Sequence, residues 1–230
     1  MSWCCLPERR LDVSEQVSRE TPPAPDVARG VFSAALPLAR RYAQMLATEG
    51  VERGLIGPRE VPRLWNRHLI NCALLGEAIP AGLDVCDIGT GAGLPGMVLA
   101  LCRPDLSLTL VEPSLRRTTF VGEVVLALGL RNVEVIRARA EELHGHRRFS
   151  IVTSRAVAPL DRLLGWSMPL LDAGGALVAM KGASVCQEVE AASVALRQHR
   201  AGAVTVVELG RTIIDPPTTV LRVESAPAKS

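Results

Sequence analysis

Lysine is almost missing from this chain. Only Lys181 and Lys229 occur, so 24 of the 26 basic residues are arginines. Codon usage in a GC-rich genome is enough to produce that bias. Arginine is also the better donor to phosphate and the better stacker on bases, so the near-neutral net charge of +2 permits an RNA partner. Long apolar runs are missing too, which excludes a transmembrane helix. Met1 to Arg10 has no cationic segment followed by an apolar one, so no secretory signal is read and a cytoplasmic protein is expected. The six cysteines form no C-x-x-C pair, and the four histidines are not spaced to complete a zinc site. No metal is therefore expected. Cys86 and Cys102 lie in apolar runs and read as buried thiols, while the vicinal Cys4-Cys5 receives no role. Aromatics are scarce: three Trp, three Phe and one Tyr. That counts against the closed, aromatic-rich pocket of a small-molecule enzyme.

What is present is organised around residues 83–96. Leu83 to Ile88 is a short apolar run and reads as a buried parallel strand. It enters a turn with glycines at 89, 91, 93 and 96, and Leu94 to Cys102 reads as a helix. Strand, glycine turn and helix make the first unit of a nucleotide-binding sheet. Gly91-x-Gly93-x-x-Gly96 alone also matches a dinucleotide fingerprint. Asp87 decides between the two, because a carboxylate at the strand end repels a pyrophosphate. S-adenosylmethionine carries a sulfonium and an ammonium instead, and suits it. Leu106 to Val111 reads as the second strand and ends in Glu112, placed to accept hydrogen bonds from the ribose hydroxyls. The same residues also fit a glycine turn that only packs a helix on a strand, with Glu112 a solvated strand-end carboxylate.

The chain in order divides into a polar tail over 1–25 that reads as disordered, a helical extension over 26–80, a cofactor-binding domain over 81–224 and a flexible end over 225–230. Asp26 is expected to cap a helix that runs to about Thr48 and bends near Pro37. A second helix spans about Glu60 to Ala78. Its apolar row is Leu64, His68, Cys72 and Leu75, and its polar row is Arg63, Arg67 and Asn71. Strands and helices then alternate, with Ser184 and Gln187 as a capping box for a late helix. Strands over 204–209 and 219–223 close the count as a hairpin. The pattern is an α/β fold: a Rossmann-like, doubly wound sheet of seven strands with an antiparallel last strand.

Four blocks occur in order: Trp65-Asn66-Arg67-His68-Leu69, Asp87 to Gly96, Ser154-Arg155-Ala156-Val157-Ala158 and Met180-Lys181-Gly182. Over roughly residues 30 to 223 the chain resembles the RsmG (GidB) family of small-subunit ribosomal RNA methyltransferases. The resemblance implies S-adenosylmethionine as cofactor and 16S rRNA, or the small ribosomal subunit, as partner. It also implies methylation of N7 of one guanine in the decoding-region loop. Cofactor contacts fall on Gly89, Leu94, Ala140, Glu141 and Arg155, beside Asp87, Gly91 and Glu112 from the general methyltransferase pattern. Arg155 is the expected catalytic residue. Arg67, His68 and Lys181 are expected on the RNA side. A monomer is expected. One departure is visible: Gly50 to Pro62 lacks the family's Trp-Asn-Lys and Asn-Leu-Thr signature.

Other methyl-transfer chemistries leave marks that are absent. Asp215-Pro216-Pro217-Thr218 resembles an exocyclic-amine motif but has no aromatic and lies in the final hairpin, so it reads as a turn. No Pro-Cys pair offers a pyrimidine-C5 nucleophile, and one lysine outside the tail cannot build a ribose-methylating lysine set. What remains is a nitrogen with a free lone pair and no proton to remove. A methyltransferase for another RNA or a small molecule, a non-catalytic RNA-binding module and a dinucleotide oxidoreductase are the competing readings. The intact Asp87, glycine turn and Glu112 weigh against the last two.

Overall fold

The computed structural model describes residues 21–227. Residues 1–20 of the expected 1–25 tail, with Trp3 and Cys4-Cys5, lie outside them, as do residues 228–230 with Lys229. Seven strands form one sheet in the order β3-β2-β1-β4-β5-β7-β6. They are β1 (Asp84–Ile88), β2 (Ser107–Val111), β3 (Val133–Ile136), β4 (Phe149–Arg155), β5 (Leu171–Lys181), β6 (Val204–Leu209) and β7 (Thr218–Glu224). The first five are parallel neighbours, and β7 inserts antiparallel between β5 and β6. The expected seven-stranded α/β sheet is therefore present.

Side chains alternate across a strand, and that alternation sets the layers. Val85, Ile151, Val178 and Val220 point to one face, where they share a core with Phe32, Tyr42, Leu46, Leu69 and Phe120. Cys86, Val152, Leu177 and Leu221 point to the other, against Leu160, Leu164 and Val185. The first face carries α1 (Val27–Phe32), α2 (Leu36–Met45), α3 (Asn71–Leu74), α4 (Gly96–Cys102) and α5 (Leu115–Leu128). The second carries α6 (Leu160–Ser167) and α7 (Val185–Ala191), with α8 (Ser193–Gln198) beside α6.

The helical layer differs in detail from the sequence reading. Asp26 makes no side-chain cap, and the first helix breaks into a 3-10 turn at Ser33–Ala35, just before Pro37. That places proline in the first turn of α2, where its missing N–H costs nothing. The second helix is a succession: 3-10 over Pro58–Arg63, π-helical over Leu64–Ile70, then α3 and a last 3-10 turn. Its faces still sort as expected, with Leu64, His68, Cys72 and Leu75 buried and Arg63 and Arg67 exposed. Arg103 closes the layer's end by donating from Nη1 to the carbonyls of Gly76 (2.6 Å) and Ile79 (2.8 Å). Trp65 Nε1 donates to Pro22 O at 2.9 Å, so the chain at residue 22 is tied to the layer. At the other end, Ser225 Oγ donates to Asp172 O at 2.6 Å. Ser184 precedes α7 without a cap hydrogen bond, so the expected capping box is not formed, and the late helix splits at Ala192.

Candidate active site

The sheet's order reverses between β1 and β4, and ligands of such sheets bind at that crevice. A cleft of about 1190 Å³ opens there. The glycine turn, the stretch from Ser154 to Pro159 and Arg67, His68 and Asn71 of the helical layer all line it.

The turn is shaped by what a side chain would hit. Gly91 has φ +62°, and a Cβ there would meet only Gly89 O at 3.9 Å, so its backbone faces open space. Gly96 is the opposite case. A Cβ there would overlap Leu110 and come within 2.8 Å of Asp87 Oδ2, so the glycine lets α4 sit directly on β1 and β2.

Asp87 is not at the cleft surface. Strand alternation turns it to the face of Val85, beneath α4, with no exposure. Its Oδ2 accepts from Thr90 Oγ1 at 2.6 Å and from Gly96 N at 2.8 Å. Asp87 ties both ends of the turn together from below and does not itself line the cleft. Burial raises its pKa to about 7, against the pull of Thr90, Gly96 and the Arg155 charge. Its Oδ1 has no partner among the described residues.

Glu112 is also nearly buried. It accepts from Gly91 N (3.1 Å), Ser114 N (3.0 Å) and Arg117 Nη1 (3.4 Å), so it braces the turn from the β2 side. Ala140 and Glu141 form a 3-10 turn after β3; Ala140 packs on the second core, Glu141 is exposed, and neither lines the cleft. Gly89, Gly91 and Leu94 do line it.

Arg155 ends β4 on the same strand parity as Ile151 and Thr153, and so points to the helical layer. There its Nη1 donates to His68 Nδ1 at 3.0 Å. The next residue, Ala156, adopts φ +54°, a conformation that costs a non-glycine residue about 1–2 kcal/mol. Val157 then lies over the turn, where a Cβ on Gly89 would approach its Cγ2 to 2.9 Å. Arg67 is 58% exposed at the cleft wall, while His68 is buried, with Nε2 on Glu60 Oε2 at 2.9 Å. Lys181 has the opposite parity from Met180 and turns to α7, where Nζ donates to Glu188 Oε2 at 2.8 Å. It lines the cleft with its charge engaged by Glu188.

Three residues that matter here were not singled out from the sequence. Tyr42 sends its hydroxyl to Ala92 O at 2.8 Å, tying α2 to the glycine turn. Thr90 and Glu60 complete the Asp87 and His68 contacts. Thr90 sits inside the motif and was within reach of the sequence; Tyr42 and Glu60 act across the fold and were not. The Asp215-Pro216-Pro217 turn also reaches the cleft through its prolines.

The donor set fits a cationic, hydroxyl-bearing cofactor. It presents open backbone at Gly91 and two carboxylates behind it, and no lysine of the turn awaits a phosphate. Among the described residues no cluster of three metal-ligating side chains occurs, and no helix is long and apolar enough to cross a membrane.

Comparison with known proteins gives the family. The family model described as "rRNA small subunit methyltransferase G" (GidB) matches residues 35–214. The chain belongs to this family. It is 59% identical over 212 residues to the ribosomal RNA small subunit methyltransferase G of Nocardioides sp., covering 92% of this chain and 85% of that one. The Thermobifida fusca protein of the same name is 57% identical over 198 residues, covering 86% and 84%. Among solved structures, the chain is similar in fold to a SAM-dependent O-methyltransferase from Thermotoga maritima. The TM-score is 0.57 at 12% identity, over 82% of this chain and 72% of that one. A ribosomal protein L11 methylase from Lactobacillus delbrueckii subsp. bulgaricus gives a TM-score of 0.52 at 17% identity, over 68% and 77%.

Proposed function

We propose that this methyltransferase moves a methyl group from S-adenosylmethionine to N7 of a guanine in the decoding-region loop of 16S rRNA. It acts as a cytoplasmic monomer on that RNA or on the small ribosomal subunit. The observation that carries the reading is family membership over residues 35–214, joined to a single cleft that the glycine turn and Arg155 both line.

S-adenosylmethionine, when bound, supplies an electrophilic methyl group on sulfur. Gly89, Gly91 and Leu94 offer it backbone and a flat apolar wall. Glu112 has about four lone-pair sites and three donors on them, so it keeps capacity for a ribose hydroxyl. Ala140 and Glu141 follow β3 and are assigned to the adenine edge. Asp87 acts from below, by holding Thr90 and Gly96 and by its charge. Arg155 points guanidinium donors suited to a guanine carbonyl. Arg67, half of it open to solvent and paired with Glu60, is assigned to a phosphate through its remaining donors. Lys181 shapes the wall through Glu188.

No side chain is needed as a base. Guanine N7 bears a lone pair and no proton, so the transfer is an in-line displacement helped by positioning and fixed dipoles. The one cleft histidine has both ring nitrogens engaged and none to spare for a substrate proton. The test is methylation of unmodified small subunits, followed by borohydride and aniline cleavage of the product RNA. One cleavage site in the decoding region is expected; methylated but uncleaved RNA would overturn the N7 assignment.

A further inference from the structure

The resemblance puts His68 on the RNA side, but its surroundings assign it another task. The ring is buried between the helical layer and the end of β4. An arginine can only donate, so the 3.0 Å contact from Arg155 Nη1 requires a bare lone pair on His68 Nδ1. The remaining proton then sits on Nε2 and is donated to Glu60 Oε2 at 2.9 Å. One tautomer alone satisfies both contacts. The other Glu60 oxygen accepts from Arg67 Nη1 at 3.1 Å, which fixes the carboxylate in turn.

We propose that His68 is a positioning residue: neutral, locked by Glu60 as the Nε2–H tautomer, it holds the Arg155 guanidinium at the cleft. This rests on the methyltransferase reading above. It also gives turnover a pH dependence without a general base. Protonating Nδ1 removes the acceptor and sets two cations face to face, so Arg155 is released. The charged groups around the ring are Glu60 and Arg67 from the helical layer and Arg155 from β4. Asp87, Tyr42 and Cys72 are the other titratable groups that feel the Arg155 charge. Burial and the Arg155 charge hold His68 below the ordinary histidine value, against Glu60. The acid-side loss therefore falls below the physiological range.

The experiment uses the full chain, unmodified small subunits and S-adenosylmethionine. His68→Ala should lower kcat about tenfold or more, as expected for a lost hydrogen bond to a charged group. Cofactor affinity by calorimetry should fall less than kcat does, because Gly89, Gly91 and Leu94 are untouched. His68→Asn keeps an acceptor near the Nδ1 position but cannot take up a proton. It should restore most of the kcat, and its acid-side fall should vanish. A folded His68→Ala with full kcat, or a His68→Asn that keeps the wild-type acid limb, would overturn the proposal. Nitrogen NMR of wild-type His68 decides independently of variants: Nδ1 bare and Nε2 protonated is expected, and the reverse tautomer or a charged ring at neutral pH is fatal to it. Failure of the wild-type protein to methylate 16S rRNA would instead sink the functional reading and leave the tautomer measurement standing.

Discussion

The two walls of the cleft are built by different means. The glycine-turn wall, assigned to the cofactor, is held mostly by contacts closer along the chain, Tyr42 to Ala92 being the exception. Thr90 and Gly96 reach Asp87 from three and nine residues away, and Gly91 reaches Glu112 from twenty-one. The Arg155 wall is held by contacts across the whole fold. Arg155 and His68 are 87 residues apart, and Thr218 and Asn71, at the base of the same layer, are 147 apart. A short-range unit forms its ligand surface with its own backbone. A long-range one needs the sheet complete before any of its parts are aimed.

If the cofactor wall is set by local packing, crowding it should do the most damage. Gly96→Val is expected to cost about 3 kcal/mol or more in urea unfolding, because Leu110 and Asp87 leave no room for a Cβ. A loss under about 1 kcal/mol would mean the turn has slack. The opposite wall should show its effect in rate. Arg155→Ala should lower single-turnover methylation about a hundredfold, on the scale of one lost transition-state donor, while the fold survives. A folded variant with full rate would remove Arg155 from the mechanism. Glu112→Ala should weaken S-adenosylmethionine by about 1–3 kcal/mol in calorimetry, since Gly91 and Ser114 lose their acceptor. Unchanged affinity would mean that the turn keeps its shape without this carboxylate.

Two further variants probe the join between the walls. Tyr42→Phe removes the bond from α2 to Ala92 O and should cost about 1 kcal/mol of stability. Finding no loss would show that the turn stands without the helical layer. The last variant reads a pH slope at Asp87. Its folded pKa, about 7, lies above the ordinary 3.8, so the folded protein binds the proton more tightly. Stability from this group is full below 3.8 and falls as pH rises through about 7. Thermal melts of Asp87→Asn between pH 5 and 8 should show a flatter slope than wild type; an identical slope would acquit Asp87.

Much of the molecule was legible residue by residue. The run from Leu83 to Gly96 gave strand, turn and helix because period and glycine spacing are local properties. Val185, Val189, Ala192 and Leu196 faced inward as their spacing demands. The helical layer was read less well. Its 3-10 and π-helical turns answer to tertiary packing around Trp65, Tyr42 and Phe32, for which a sequence window holds no signal. The placements of Asp87 and Lys181 have a shared cause. Strand alternation sends 85 and 87 to one face and 181 to the face opposite 180, but which face holds the helical layer and which holds α7 is decided only by the sheet's topology.

The sequence by itself therefore determined the α/β class, the glycine turn between the first strand and its helix, and the scarcity of lysine. Each depends on which residues the chain carries and in what order. Tertiary structure alone decided that Asp87 lies beneath the turn, that Lys181 faces Glu188 and that His68 meets Arg155. Those outcomes depend on which faces meet when distant segments pack, and the chain order does not carry that.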